Sequence, residues 1–383
     1  MRHRKRGVRI AAMSLLVCGC VVFGVVAVPL VGVGVQCGVF GGVNPARTVR
    51  TANPAEASTD MQKIKEGLSG YTRSEEQTYL TLPEWYIVYS ADEYAAFIAH
   101  NPPSQFPYFQ AIGDYWRSYY DVCAVTRGQY AFNTGYHLSL AIIGTSFTLE
   151  NLLKGLYEKT FGRVTEWLSA GALTEEDAYA RKVAKEYGDF IHTIPWYAFA
   201  FGEKLTGLWG GTSLWGPHGL RKWERKLALS LEYGVKSIYG WLIKHGTQAT
   251  YAPEDLEIQV WAEGLSDEVL TREPQLRIVK AIDTHAAIVA LPRYEAYTHI
   301  VRRLVQQGVQ FVEMAGNHDI LITVIAPHNW SYDLQDGAFL FAMPIRTQPQ
   351  RQRVAVRAPV KSLHRVLNML ESRHIEIEHI YDY

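Results

Sequence analysis

Residues Thr284–Ala326 read THAAIVALPRYEAYTHIVRRLVQQGVQFVEMAGNHDILITVIA, and the change of period inside this stretch sets the fold class. Thr284 to Leu291 is a short apolar run of strand length. Arg293 to Gln307 reads as a helix that Gly308 ends. Val309 to Met314 and Ile320 to Ala326 return to strand composition, with Ala315 to Asp319 as the turn between them. Working outward, Ala338 to Ile345 and Arg353 to Arg357 suggest a further hairpin, Ser362 to Ser372 a helix and Ile375 to Ile380 a closing strand. The order β-α-β-β-(ββ)-α-β predicts a ferredoxin-like split βαβ domain over residues 255–383, with an inserted hairpin. Such a fold hosts many unrelated functions and identifies none.

Residues 75–250 have helical periods and a different composition. Eight of the ten tryptophans fall between Trp85 and Trp241, and 17 of the 23 tyrosines between Tyr79 and Tyr251. Tyr79 to Tyr89 reads as extended, and Ser90 with Glu93 forms a capping box for a short helix ending near His100. Helices are predicted at about 108–125, 137–161 and 175–192, the last opened by a Thr174/Asp177 capping box. A final helix carries Trp223, Leu227, Leu231, Val235, Ile238 and Leu242 on one face. That face is expected to pack inward, with Arg221, Lys222, Arg225, Lys226 and Lys236 directed mostly away from it. The whole is therefore an α+β chain with an aromatic-rich, mainly helical domain ahead of the α/β domain.

The N-terminus adds a membrane element. Arg2, Arg4, Lys5, Arg6 and Arg9 precede a run from Ile10 to Val43 with no charged side chain. A crossing helix needs about 20 apolar residues, and Ile10 to about Val28 supplies the best of it before Pro29 and several glycines. The cation bias places the N-terminus in the cytoplasm and the body outside it, as in a single-pass signal-anchor protein with a periplasmic domain. Val25-Val26-Ala27 also offers a signal-peptidase site, and Val17-Cys18-Gly19-Cys20 loosely matches a lipobox. All three readings leave the body extracytoplasmic. Residues 1–43 are thus the basic N-terminus and anchor, and 44–74 a polar tether.

Charge and cysteine content exclude some classes. The chain carries 38 Lys plus Arg against 38 Asp plus Glu, so its overall field does not attract nucleic acid. Cys18, Cys20 and Cys37 lie in the apolar stretch, which leaves Cys123 as the one thiol of the folded part, read as a buried structural residue with no disulfide partner there. No Walker loop, dinucleotide fingerprint or Gly-x-Ser-x-Gly occurs.

Two constellations carry possible chemistry. Asp283-Thr284-His285 and Gly316-Asn317-His318-Asp319 resemble the first and third signatures of the calcineurin-like metallophosphoesterases. That resemblance implies a two-metal phosphoesterase site in which Asp283, His285, Asn317 and His318 are ligands and Asp319 assists. It covers seven residues, and the Gly-Asp-x-x-Asp and Gly-His-x-His signatures of the family are missing. Glu186, Asp189 and His192 share one helical face, as in half of a di-iron site that His137, Glu150 and Glu203 would have to complete.

A third feature is not chemical. Ile194 to Gly216 is apolar apart from Glu203 and Lys204, repeats Leu-Trp-Gly at 208–210 and 214–216, and is followed by Arg221-Lys222-Trp223-Glu224-Arg225-Lys226. Trp196, Trp209, Trp215, Arg221, Lys222 and Trp223 are accordingly the expected contacts to an apolar ligand, a lipid or a membrane partner. The leading functional expectation is a non-catalytic, membrane-anchored envelope component; the competing one is a metal-dependent hydrolase. The sequence assigns neither a cofactor nor a catalytic residue.

Overall fold

A single helix, α1, runs from Gln77 to His100 through Pro83 and Ser90. The extended reading of 79–89 and the helix start at Ser90 are both overturned. Tertiary packing is the reason: Tyr79, Leu80, Leu82, Trp85, Tyr86 and Tyr89 are all buried, each worth about 1.5–3 kcal/mol against water. That sum outweighs the hydrogen bond lost at Pro83. The computed structural model describes residues 24, 26–38, 64, 68, 70–73, 76–246, 256–330 and 336–382. Most of the expected anchor, including all of 1–23, lies outside them. Among the described residues no helix is long and apolar enough to cross a membrane.

Six more helices follow: α2 (Tyr108–Thr126), α3 (Thr134–Tyr157), α4 (Arg163–Leu168), α5 (Glu175–Ile191), α6 (Phe201–Gly211) and α7 (Gly219–Gly246). A π-helical turn, Glu158–Gly162, joins α3 to α4 without a break. The capping box at Thr174 and Asp177 forms as the sequence predicts. Contacts between Ser146 and Tyr239, Lys154 and Glu232, and Tyr157 and Glu224 set α7 antiparallel to α3. The segment 26–37 is also helical, with Val33 buried among the aromatic residues of α1 and α2.

The C-terminal region holds two antiparallel sheets rather than one. The first comprises β1 (Glu257–Glu263), β2 (Arg277–Ala281), β3 (Ala286–Pro292) and β4 (Gln310–Met314), in the order β2-β3-β1-β4. Helix α8 (Asp267–Arg272) lies between β1 and β2, and α9 (Glu295–Gln306) between β3 and β4. The second sheet comprises β5 (Asp319–Pro327), β6 (Ala338–Pro344), β7 (Arg351–Pro359) and β8 (Glu376–Ile380), in the order β6-β7-β5-β8, with α10 (Leu363–Ser372) before β8. The two orders are the same when each set is renumbered from its own first strand. The strands expected from Thr284 onward in one sheet are therefore shared between two. The sequence reading missed β1, α8 and β2, because these elements are five to seven residues long and show no sustained period.

The two sheets bury one core. Ile258, Val260, Val289, Ile300 and Leu304 meet Ile322, Val324, Val356, Val366 and Leu370 in a single apolar cluster. A tight turn links the sheets: Gly316 has φ +76°, and a Cβ there would approach Thr72 within 3.1–3.2 Å. Part of the expected tether is packed as well. Tyr71 is buried against Trp261 and Ile288, its hydroxyl donates to Glu313 at 3.1 Å, and Arg73 N–H donates to the Ala315 carbonyl at 2.8 Å.

Helices and second sheet share a core in turn. Trp85 stacks on His379 with ring centroids 3.6 Å apart, and the Tyr89 hydroxyl bonds Thr323 and Tyr381 at 3.0 and 2.9 Å. Arg353 lies 3.9 Å over the Tyr89 ring and pairs with Glu378 at 2.6 Å. Arg346 forks onto Asp114 with two bonds of 2.6 Å.

Candidate functional site

Helix α7 is inside out. Its cations, which the sequence reading directs outward, are buried: Arg221, Lys222, Arg225 and Lys226 are each no more than 3% exposed. Arg225 pairs with Glu158 at 2.7 Å and Asp177 at 3.3 Å, and Arg221 with Asp177 at 3.0 Å and Glu224 at 3.1 Å. Lys222 reaches Glu175 and Glu176 at 3.1 and 3.2 Å, and Lys226 reaches Glu176 at 3.4 Å. Further along, Lys236 pairs with Glu150 at 2.6 Å and Glu232 at 3.3 Å, while Lys154 meets Glu232 at 3.0 Å.

Charge balance inside the bundle explains the titration behaviour. Burial on its own raises Glu232, but the ammonium groups of Lys154 and Lys236 outweigh it and hold the carboxyl at about 2. Glu175 is also held at about 2, first by the Ser213 backbone N–H, then by the Ser213 hydroxyl and Lys222. Burial opposes the charge of Arg225, and Glu158, Glu224 and Asp177 more than restore it. Acidic partners therefore drew the basic edge of α7 inward, since a buried cation without them is far costlier than an exposed leucine. The run Glu175-Glu176-Asp177, sign-matched to Arg221-Lys222 and Arg225-Lys226, was the one signal in the sequence that pointed this way.

The other edge of α7 faces out. Leu220, Leu227, Leu231, Val235, Ile238, Trp241 and Leu242 are all more than half exposed, and no charged side chain of α7 between Arg221 and Lys236 is exposed. Antiparallel α3 and its continuation add Leu138, Ile142, Leu153, Leu156, Phe161, Val164 and Trp167. The stripe from Leu220 to Leu242 is roughly 33 Å long at about 1.5 Å per residue. Long side chains rather than close backbone packing bridge the two helices, through Ser146–Tyr239, Lys154–Glu232 and Tyr157–Glu224, and an uncharged row of exposed apolar residues of this length is uncommon on a soluble monomer. On the far side of the bundle, α5 is conventional: Lys185 and Asp189 are exposed and paired with each other at 2.8 Å.

Tryptophan gathers at one end of the stripe. Trp209 and Trp215 stand against Trp223 with ring centroids 6.3 and 6.1 Å away, and Trp209 Nε1–H donates to Ser230 at 2.9 Å. Trp215 and Trp167 are 79% and 77% exposed. Of the six residues expected to make contacts, Trp209, Trp215 and Trp223 lie at this surface. Trp196 is half-buried against Tyr239. Arg221 and Lys222 belong to the internal ion cluster, which is a correction to the expected cationic rim.

The metal-binding expectations are not assembled. Ala286 of β3 pairs with Glu263, which pairs with Gln310, whereas Met314 at the other end of β4 pairs with Val260. Asp283 and His285 thus lie at one end of the first sheet, and Asn317, His318 and Asp319 at the other, about 13 Å or more along the strands. Asp283 caps its own turn, accepting from the N–H groups of His285 and Ala286 at 2.7 Å. His318 approaches Glu313 at 3.8 Å, Asp319 approaches Arg357 at 3.9 Å, and Asn317 is buried in the turn. Nor do the helical candidates converge: Glu186 binds Lys204 at 2.7 Å, Asp189 binds Lys185, and His192 meets Asp92 at 2.6 Å.

A cavity of about 90 Å³ lies inside the bundle, where Tyr94, Phe147, Tyr187 and Tyr233 surround the Lys154/Glu232/Lys236 group. A smaller one adjoins a disulfide between Cys37 and Cys123. That bond corrects the expectation that Cys123 has no partner: the segment expected to leave the membrane loosely is helical up to Cys37 and packs on α2. His137 is beside the pair, and burial pushes its imidazole down to about 4. Comparison with protein families, characterised proteins and solved structures finds no match.

Proposed function

We propose that this chain is a non-catalytic membrane-surface protein that seats the α3–α7 face in the apolar boundary of a lipid bilayer. The observation that carries the reading is the inversion of α7, with ion pairs turned in and an uncharged stripe of about 33 Å turned out. Leu220 to Leu242 then lies in the plane of the membrane, as an amphipathic interfacial helix does, and the tryptophans at its end take the polar boundary. The charged side of α5 faces water.

The N-terminal stretch fits the same placement. Cys37 is bonded to the C-terminal turns of α2, which lie level with the start of α3 and the end of α7. Val28, Val31 and Val35 of the segment 26–37 are exposed as well. A single-pass anchor with the body outside the cytoplasm is the topology we infer, and a disulfide suits that compartment. The two sheets each have the strand order of a ferredoxin-like split βαβ unit.

All ten tryptophans follow residue 84, so tryptophan fluorescence reports on the body and not on the anchor. In proteoliposomes, phosphatidylcholine brominated in its acyl chains should quench part of that fluorescence, and Leu227→Lys/Leu231→Lys/Ile238→Lys should abolish the quenching. Equal fluorescence in brominated and plain lipid would sink the proposal.

A further inference from the structure

The disulfide sits beside a third group able to hold a metal. Cys37 ends the segment 26–37, Cys123 lies in the last turn of α2 and His137 in the first turn of α3. The two sulfurs and one imidazole nitrogen are all within 4.8 Å of one another, the one such group of three His, Cys, Asp or Glu among the described residues.

The imidazole is held in place from both sides. Phe132 stacks parallel to it at 4.2 Å, and Tyr119 stacks at 5.8 Å. The Tyr119 hydroxyl is 2.8 Å from Nδ1 and 3.2 Å from the His137 carbonyl oxygen. A phenol carries one proton. Donated to the carbonyl, it leaves the phenol oxygen to accept from Nδ1–H, and Nε2 then keeps a free lone pair. Metal-binding histidines are fixed by this kind of outer hydrogen bond. A cavity of about 40 Å³, lined by Cys37, His137, Glu76, Arg127 and Tyr130, opens alongside, with room for a water as a fourth ligand.

We propose that reduction of the Cys37–Cys123 bond by a dithiol creates a Cys-Cys-His site for a thiophilic divalent cation of the zinc class, with its fourth position on this cavity. The dithiol supplies two electrons and two protons to the S–S bond and closes into its own disulfide, leaving two protein thiols. The cation then binds both sulfurs as thiolates and releases their two protons, while His137 contributes a neutral nitrogen. The chain thereby holds the segment 26–37 on α2 in either redox state.

The test uses the full chain carrying Cys18→Ser and Cys20→Ser, so that Cys37 and Cys123 are its only cysteines, reduced with dithiothreitol, freed of reductant under anaerobic conditions and titrated with Co²⁺. About one equivalent should bind with a thiolate charge-transfer band that Zn²⁺ removes, and the oxidised protein should show no band. Cys123→Ser should lose the band, and His137→Ala should weaken Co²⁺ by about tenfold or more. Oxidised His137→Ala retains the disulfide, so its circular dichroism separates folding from binding. Absence of the band in reduced protein, a band in oxidised protein, or unchanged affinity in a folded His137→Ala each overturns the site. So does a disulfide that resists dithiol until the chain unfolds.

Discussion

Arg225 of α7 and Glu158 of the π-helical turn meet at 2.7 Å with side chains 2% and 3% exposed. Each is the other's main compensation for burial, because water reaches neither. Glu158→Ala should therefore cost about 1.5–3 kcal/mol, because it removes the nearest carboxylate from a buried guanidinium that keeps Asp177 at 3.3 Å. The double variant Glu158→Met/Arg225→Met should recover most of it. Chemical denaturation of the three variants checks this, and a double variant as unstable as Glu158→Ala would refute it.

Substitutions on the other edge of the same helix should behave in the opposite way. Leu227→Ser and Leu231→Ser remove side chains that are each 59% exposed, so the folded chain should lose no more than about 0.5 kcal/mol per site. Quenching by brominated lipid should nevertheless fall in both. A loss of several kcal/mol in detergent-free buffer would show that α7 packs on something within the chain.

With Arg221, Lys222, Arg225 and Lys226 buried, α7 presents no exposed cation between Leu220 and Leu242. Association of the body with lipid should change less than about twofold when phosphatidylserine replaces a third of the phosphatidylcholine, or when salt rises across the range that screens surface charge. The brominated-lipid signal at two salt concentrations measures this. A strong preference for anionic vesicles would return Arg221 and Lys222 to the role the sequence suggested.

His379 is fully enclosed between Trp85 and Thr298, and burial pushes its imidazole down to about 3, with Asp382 opposing and His192 and His299 assisting. The unfolded chain protonates this residue near 6.5, while the folded chain does not until about 3. The unfolded state thus binds more protons between those values, and stability falls as pH drops through that window. Between pH 7 and pH 5 the loss attributable to His379 is about 1–2 kcal/mol. His379→Gln should flatten that slope, as read from urea midpoints at the two pH values; an unchanged slope would assign the acid sensitivity elsewhere.

Local elements that carry their own period or cap were legible in the sequence. Thr174 and Asp177 announced α5, the run from Arg293 to Gln307 announced α9, and Gly308 and Gly316 marked real turns, because capping, periodicity and positive φ are short-range properties. The mixed helix and sheet class followed from these. Everything else depended on how distant segments pack. Periodicity located the apolar edge of α7 but not its direction, since leucines recur at the same three- and four-residue steps whether the edge faces a core or a membrane. Glu158 and Asp177, distant in sequence, settled the matter by supplying counter-charges to the other edge. The Cys37–Cys123 bond and the parting of Asp283 from His318 were equally invisible, because both depend on which segments the completed packing brings together or keeps apart.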